Sequence, residues 1–227
     1  MSDVITVELG DSHDPVRRAL DESETATRSD FFRKAVTGGG ALAAGGLVIG
    51  GLPGLALGRP SAKQDLAILN FALLLEYLES EFYVQAVASG ALTRKLAAFA
   101  TTVRDHELAH VKALKKALGS KAGKKPAFNF GDTVRDPAKF AATSIVLEDT
   151  GVAAYNGQGT RLRRRTLPAA ASIVSVEARH AAWIRYLAGS PAYGGAAENY
   201  PAPNVLETPA TKKQVEKAVA GTGFIKG

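Results

Sequence analysis

Cysteine is absent from all 227 residues of the chain. That absence excludes disulfides, thiolate-bound zinc, iron–sulfur clusters and rubredoxin-type electron centres, so any metal site has only carboxylate oxygen and imidazole nitrogen to draw on. It is also compatible with an oxidising compartment. No glycine-rich phosphate loop is present, which removes support for nucleotide binding, and no sustained alternation of apolar and polar residues supports a β-rich fold. Histidine is scarce as well, with four residues in the chain. His13 lies in the N-terminal tail and has no assigned role; the other three fall in helical segments. A charged fraction of 22% and a hydrophobic fraction of 46% are ordinary for a globular protein, so disorder throughout is not expected.

What is present is a repeated pattern. Glu107-Leu108-Ala109-His110 and Glu177-Ala178-Arg179-His180 are both Glu-x-x-His. At about 100° per residue, positions i and i+3 of a helix lie roughly 60° apart, so carboxylate and imidazole lean over one patch of surface. A glutamate within an apolar helix precedes each pair by about thirty residues, Glu76 the first and Glu148 the second. One Glu-x-x-His is a common chance match; two copies led by glutamates at nearly the same distance are not. Tyr83 and Tyr155 extend the repetition, each seven residues after its glutamate and so within roughly 20° of it around the helix. Glu76, Glu107, His110, Glu148, Glu177 and His180 are then the four carboxylates and two imidazoles that the core of a four-helix bundle can direct at two metal ions. The competing explanation is structural: buried acids and histidines that pair with one another or with Arg179 and Arg185.

Residues 1–59 read as a tail followed by an export signal. The chain is polar and aperiodic to about Thr27 and is expected to be disordered there. Arg28-Ser29-Asp30-Phe31-Phe32-Arg33-Lys34 then leads into an uncharged stretch, Ala35 to Gly58, long enough to cross a bilayer but too rich in glycine for a good permanent helix. The shape resembles a twin-arginine signal in which Ser29 replaces the second arginine. A retained membrane anchor and an internal segment of an unprocessed cytoplasmic protein are the alternatives.

Residues 60–189 read as four helices. The first, Lys63 to Ala88, is apolar nearly all round and ends at Gly90; the second runs from Thr93, as its cap, to Leu118. The third starts at Pro137 after Asp136, with Gly157 and Gly159 weakening its later turns, and the fourth runs from Pro168 to Gly189. The Lys-, Gly- and Pro-rich connection from Gly119 to Asp136 suits the crossover between two antiparallel helix pairs. Glu79, one turn beyond Glu76, shares its face as an alternative ligand or as a residue behind the ligands. Glu81 points roughly 140° away toward solvent, and His106, about 100° from Glu107, reads as exposed or as lying behind the ligands. Residues 190–227 read as an extended arm with a short helix near Thr211 to Ala220, placed to contact a second subunit in a homodimer.

Leu69-Asn70-Phe71-Ala72-Leu73-Leu74-Leu75-Glu76-Tyr77-Leu78-Glu79, Asp105-His106-Glu107-Leu108-Ala109-His110 and Val176-Glu177-Ala178-Arg179-His180-Ala181-Ala182 resemble the bacterial ferritin-like domain proteins of the exported type. These are relatives of ferritin, bacterioferritin and rubrerythrin, and the resemblance runs from about Lys63 to Gly189. It implies an all-α fold, a ferritin-like four-helix bundle with a long crossover, here followed by the C-terminal arm. It also implies two iron ions, two manganese ions or a mixed pair, bridged by Glu107 and Glu177, bound terminally by Glu76 and Glu148, and held one each by His110 and His180.

Hard oxygen and nitrogen ligands suit iron or manganese, and open coordination positions let such a pair react with oxygen or peroxide. The expected activity is therefore ferroxidase or peroxide- or oxygen-reducing chemistry in the cell envelope. Tyr83 and Tyr155 are the candidate catalytic side chains, as hydrogen-bond partners of the ligands or as local electron donors, although packing explains them almost as well. The alternative function is a non-catalytic exported stress or envelope protein that uses the bundle for interaction. The net charge of +6 is concentrated in two clusters, Lys112 to Lys125 and Arg161 to Arg165. Both lie near predicted helix ends, where cations favour the negative pole of the helix dipole. Nucleic acid is accordingly not an expected partner, and membrane contact is expected only through the N-terminal apolar segment.

Overall fold

The computed structural model describes residues 60–189, 201–202 and 207–226. The export-signal segment and most of the predicted extended arm lie outside the described residues. Helix α1 spans Ala62–Ala88, its first turn capped by the Ser61 hydroxyl, which accepts from the Gln64 N–H at 3.1 Å. Helix α2 spans Arg94–Leu118. Thr93 stands at its N-cap position but makes no side-chain cap, a correction to its reading from sequence. Arg94 sits at φ 52°, and this left-handed entry departs from the regular turn in which a cap reaches the N–H two or three residues on.

Helix α3 spans Pro137–Gly159, with the Asp136 carboxylate accepting from the N–H groups of Ala138 and Lys139 at 2.9 and 3.0 Å. It continues through Gly157, and that glycine makes room for the returning C-terminal segment: a Cβ there would lie 1.9 Å from the Ala210 carbonyl oxygen. Helix α4 spans Leu167–Ala188, and α5, Lys212–Thr222, begins with a capping box of Thr211 and Gln214. Two strands of two residues each, β1 (Ala127–Phe128) and β2 (Ile225–Lys226), pair antiparallel, with Phe128 opposite Ile225. They join the crossover to the chain's end and are too short for alternation to have announced them.

Helix α1 packs mainly on α2, and α3 mainly on α4. The Arg163 guanidinium just beyond α3 reaches Asp65 in the first turn of α1, so these two helices run antiparallel across the bundle. Phe99 near the start of α2 meets Trp183 near the end of α4, which sets the same relation for the other pair. The crossover must then travel the length of α1, and it is bonded along the way. Asn70 accepts from the Gly123 N–H at 2.7 Å, Tyr77 donates to the Gly123 carbonyl at 3.3 Å, Lys125 pairs with Glu81, and Ser89 donates to the Val134 carbonyl at 3.0 Å.

The apolar interior is divided. One cluster, with Phe82, Phe99, Phe130 and Phe140 in stacked and edge contacts, fills the end where α2 and α3 begin. A second, built on Ile68, Leu73, Leu114, Leu118 and Ile173, fills the end where α1 and α4 begin. Acids and histidines occupy the layer between them. No helix among the described residues is long and apolar enough to cross a membrane.

Candidate metal centre

Each helix of the bundle delivers part of that layer: Glu76 and Glu79 from α1, His106, Glu107 and His110 from α2, Glu148 from α3, Glu177 and His180 from α4. Glu76, Glu107, Glu148 and Glu177 are 0% exposed, His180 2% and His110 9%. The six residues singled out from the repeated pattern are thus brought together. They form two overlapping groups, Glu76, Glu107, His110 and Glu177, and Glu107, Glu148, Glu177 and His180, each offering ligand atoms within 4.8 Å of one another.

The two imidazoles present Nδ1 to the layer. His110 Nδ1 lies 3.2 Å from Glu76 Oε2, 3.2 Å from Glu107 Oε2 and 3.0 Å from Glu177 Oε1. His180 Nδ1 lies 3.2 Å from Glu107 Oε1, 3.2 Å from Glu148 Oε2 and 4.0 Å from Glu177 Oε2. Glu107 and Glu177 therefore turn one oxygen toward each histidine, whereas Glu76 and Glu148 serve one side only.

Protein groups alone satisfy this layer poorly. One Nδ1–H cannot serve three carboxylates, and Glu107 Oε1 and both oxygens of Glu177 are buried without a hydrogen bond. Arg179 and Arg185, the cations considered as partners from the sequence, turn elsewhere: Arg179 donates to the Ser175 carbonyl at 3.0 Å and Arg185 pairs with Asp149. Burial, then the neighbouring carboxylates, Glu76 foremost, holds the Glu107 acid well above its ordinary range, and burial followed by Glu107 does the same for Glu177. Burial acts in the same direction on Glu76 and is the largest single influence, but hydrogen bonds with His110, Glu107 and Tyr155 and the charge of His110 together outweigh it and lower that acid. Burial would also lower the His110 imidazole, yet the carboxylates of Glu107, Glu177 and Glu76 push it up to about 12. Unpartnered buried oxygens, directed at imidazole nitrogens in a purely oxygen and nitrogen donor set, fit bound divalent cations.

Tyr83 and Tyr155 reach the layer by a route their spacing did not reveal. Each lies near its own glutamate around the helix, but each bonds the glutamate of the opposite hairpin. Tyr83 donates to Glu148 Oε1, and Tyr155 donates to Glu76 Oε1 at 2.5 Å. Burial and the adjacent carboxylate charge raise both phenols well above their usual value, which keeps them neutral donors.

Two further features belong to the site. His106 Nδ1 lies 2.9 Å from His180 Nε2, with the rings stacked at 5.1 Å, so the outward nitrogen of His180 is engaged and its Nδ1 is free to face the acids. The spacing of His106 and His110, one turn apart on α2, was the available signal. Glu79 is buried, and its Oε2 has no partner. Burial, then the charges of Glu177 and Glu107, raises its acid well above the ordinary range. It lies outside both ligand groups and against Gly151, where a Cβ would come within 3.1 Å of Glu79 Oε1 and 3.4 Å of Glu177 Oε2. Gly151 stands at the same offset from Glu148 as Glu79 from Glu76, a correspondence visible in the sequence once the two halves are aligned.

Residues 64–190 match the family described as the ferritin-like domain. No curated protein matches the chain.

Proposed function

The chain belongs to the ferritin-like domain family, and on that premise we propose that it is a di-metal carboxylate protein with ferroxidase or peroxide- or oxygen-reducing activity, exported to the cell envelope. The observation that carries this reading is the division of Glu107 and Glu177, each with one oxygen toward His110 and the other toward His180. Glu76, Glu107, Glu177 and His110 would hold one ion, and Glu148, Glu107, Glu177 and His180 the other. Iron or manganese ions bound there would supply Lewis acidity and one-electron redox capacity.

The chain's own groups position and insulate that pair. Tyr83 and Tyr155 orient the carboxylates of Glu148 and Glu76 from behind, leaving their second oxygens for the ions. His106 holds the His180 ring so that Nδ1 faces inward. The two apolar clusters keep bulk water from both ends of the layer, which strengthens every charge interaction within it.

Elemental mass spectrometry of protein purified without added metal tests the reading. About two iron or manganese atoms per chain are expected, and none in Glu107→Ala/Glu177→Ala. Wild-type protein that carries no metal and takes up neither ion would overturn it and favour the interaction-protein alternative.

A further inference from the structure

The two basic clusters, far apart in sequence, meet at one end of the bundle. The first turns of α1 hold both. Asp65 accepts from the Arg163 N–H at 3.1 Å and from its Nε at 2.7 Å, while Asn70 donates to the Lys121 carbonyl at 3.0 Å. Between them lies an open hollow of about 440 Å³ whose walls include Asp65, Leu66, Ala117, Arg163 and Arg165. Lys115, Lys116, Lys121, Arg161, Arg164 and Arg165 stand exposed on the segments that meet there, and Arg165 lines the hollow itself.

Acids are scarce among the described residues of this end. Residues 60–75, 108–123 and 150–176 contribute Asp65 as their sole acidic residue, buried and paired with Arg163, while the returning C-terminal segment, whose Ala210 lies against Gly157, brings Glu207 and Glu216, the latter paired with Lys212. The opposite end is balanced: Arg104 pairs with Asp105, Lys139 with Asp132 and Arg185 with Asp149. Helix-dipole complementation accounts for Lys115 and Lys116 in the last turn of α2, but not for the lack of acids across three segments. Leu66 and Leu167, exposed by 36% and 39%, stand among these cations, whereas the exposed Tyr186 is on the last turn of α4 at the other end.

We propose that this basic end docks on an anionic phospholipid bilayer. Its lysines and arginines engage headgroup phosphates, Leu66 and Leu167 enter the interfacial layer, and the hollow beside Arg163 and Arg165 receives a headgroup. Exposed leucines add to lipid contact and nothing to phosphate-backbone binding, and no exposed aromatic is described here on which bases would stack, so lipid is favoured over nucleic acid. The uncharged stretch Ala35 to Gly58 ends two residues before Pro60, where the described residues begin. The proposal is independent of the metal reading.

Flotation of the full-length chain with vesicles of phosphatidylcholine, alone or mixed with phosphatidylglycerol, tests it. The mixed vesicles are expected to bind at least ~10-fold more tightly, an advantage that shrinks with added salt. Lys115→Glu/Lys116→Glu/Arg164→Glu/Arg165→Glu should lose that advantage with helicity and Tm unchanged. Should it misfold, the corresponding four-glutamine variant, expected to lose most of the advantage, decides in its place. Equal binding to both vesicles, or a preference untouched by the variants, overturns the proposal and leaves lipid contact to the apolar stretch. Binding to duplex DNA that the variants abolish, without preference for phosphatidylglycerol, overturns it in favour of nucleic acid.

Discussion

The hairpin of α1 and α2 and the hairpin of α3 and α4 carry one ligand pattern in unequal surroundings. Glu76, Tyr83, Glu107 and His110 on the first correspond to Glu148, Tyr155, Glu177 and His180 on the second, and the correspondence holds in space, down to the exchanged tyrosine bonds. Two positions break it. Where the first hairpin has Glu79 the second has Gly151, and where the first has His106 the second has Val176. Both additional polar groups therefore come from the first hairpin. One backs the second hairpin's histidine, and the other fills the space its glycine leaves. Repetition sets which groups face inward; the departures from it set how each side is supported.

The sharpest test of the likeness is a matched pair of substitutions. Glu107→Gln and Glu177→Gln each remove a carboxylate shared by both ligand groups, and each is expected to weaken metal affinity by at least ~100-fold, read by competition with a chelator of known affinity. A loss confined to one variant would break the equivalence of the hairpins. Next come the tyrosines. Tyr83→Phe and Tyr155→Phe each remove a buried donor to a carboxylate, at an expected cost of about 2 kcal/mol apiece in urea unfolding. Values differing by more than that would show that the exchanged bonds are alike in geometry only.

The departures from symmetry should have smaller effects. His106→Ala is expected to weaken metal retention about 10-fold while His106→Gln, which keeps an acceptor, recovers part of the loss. An unchanged affinity in both would reduce His106 to a surface residue stacked on its neighbour. The smallest effect concerns Gly151. In a Glu79→Ala background, Gly151→Ala should stabilise α3 by about 1 kcal/mol through helix propensity. With Glu79 present, the Cβ meets the carboxylate at 3.1 Å and that gain should vanish. A double-mutant cycle by chemical denaturation measures the coupling, and additive effects would show that Glu79 and Gly151 are not a matched pair.

Much of this was legible in the residue order. The four bundle helices follow from apolar stretches bounded by Ser61, Asp136, Pro137 and Gly189, because caps and helix-starting prolines act locally. The six clustered acids and histidines were legible because repetition at matched offsets is improbable by chance. The crossed tyrosine bonds were not, since spacing within a helix reports the direction of a side chain and not which helix faces it. The β1 and β2 ribbon pairs residues nearly a hundred positions apart and is too short to leave a periodicity.

Local order thus settled the helices, the repeat and the kind of donor a chain without cysteine can offer, because each depends on neighbours within a few turns. Packing of the two hairpins settled the rest. It turned one oxygen of Glu107 and of Glu177 toward each histidine, exchanged the tyrosines, set Glu79 against Gly151 and brought two distant basic clusters to one end. Those outcomes depend on which faces meet across the bundle, and contacts between elements remote in sequence leave no local pattern to read.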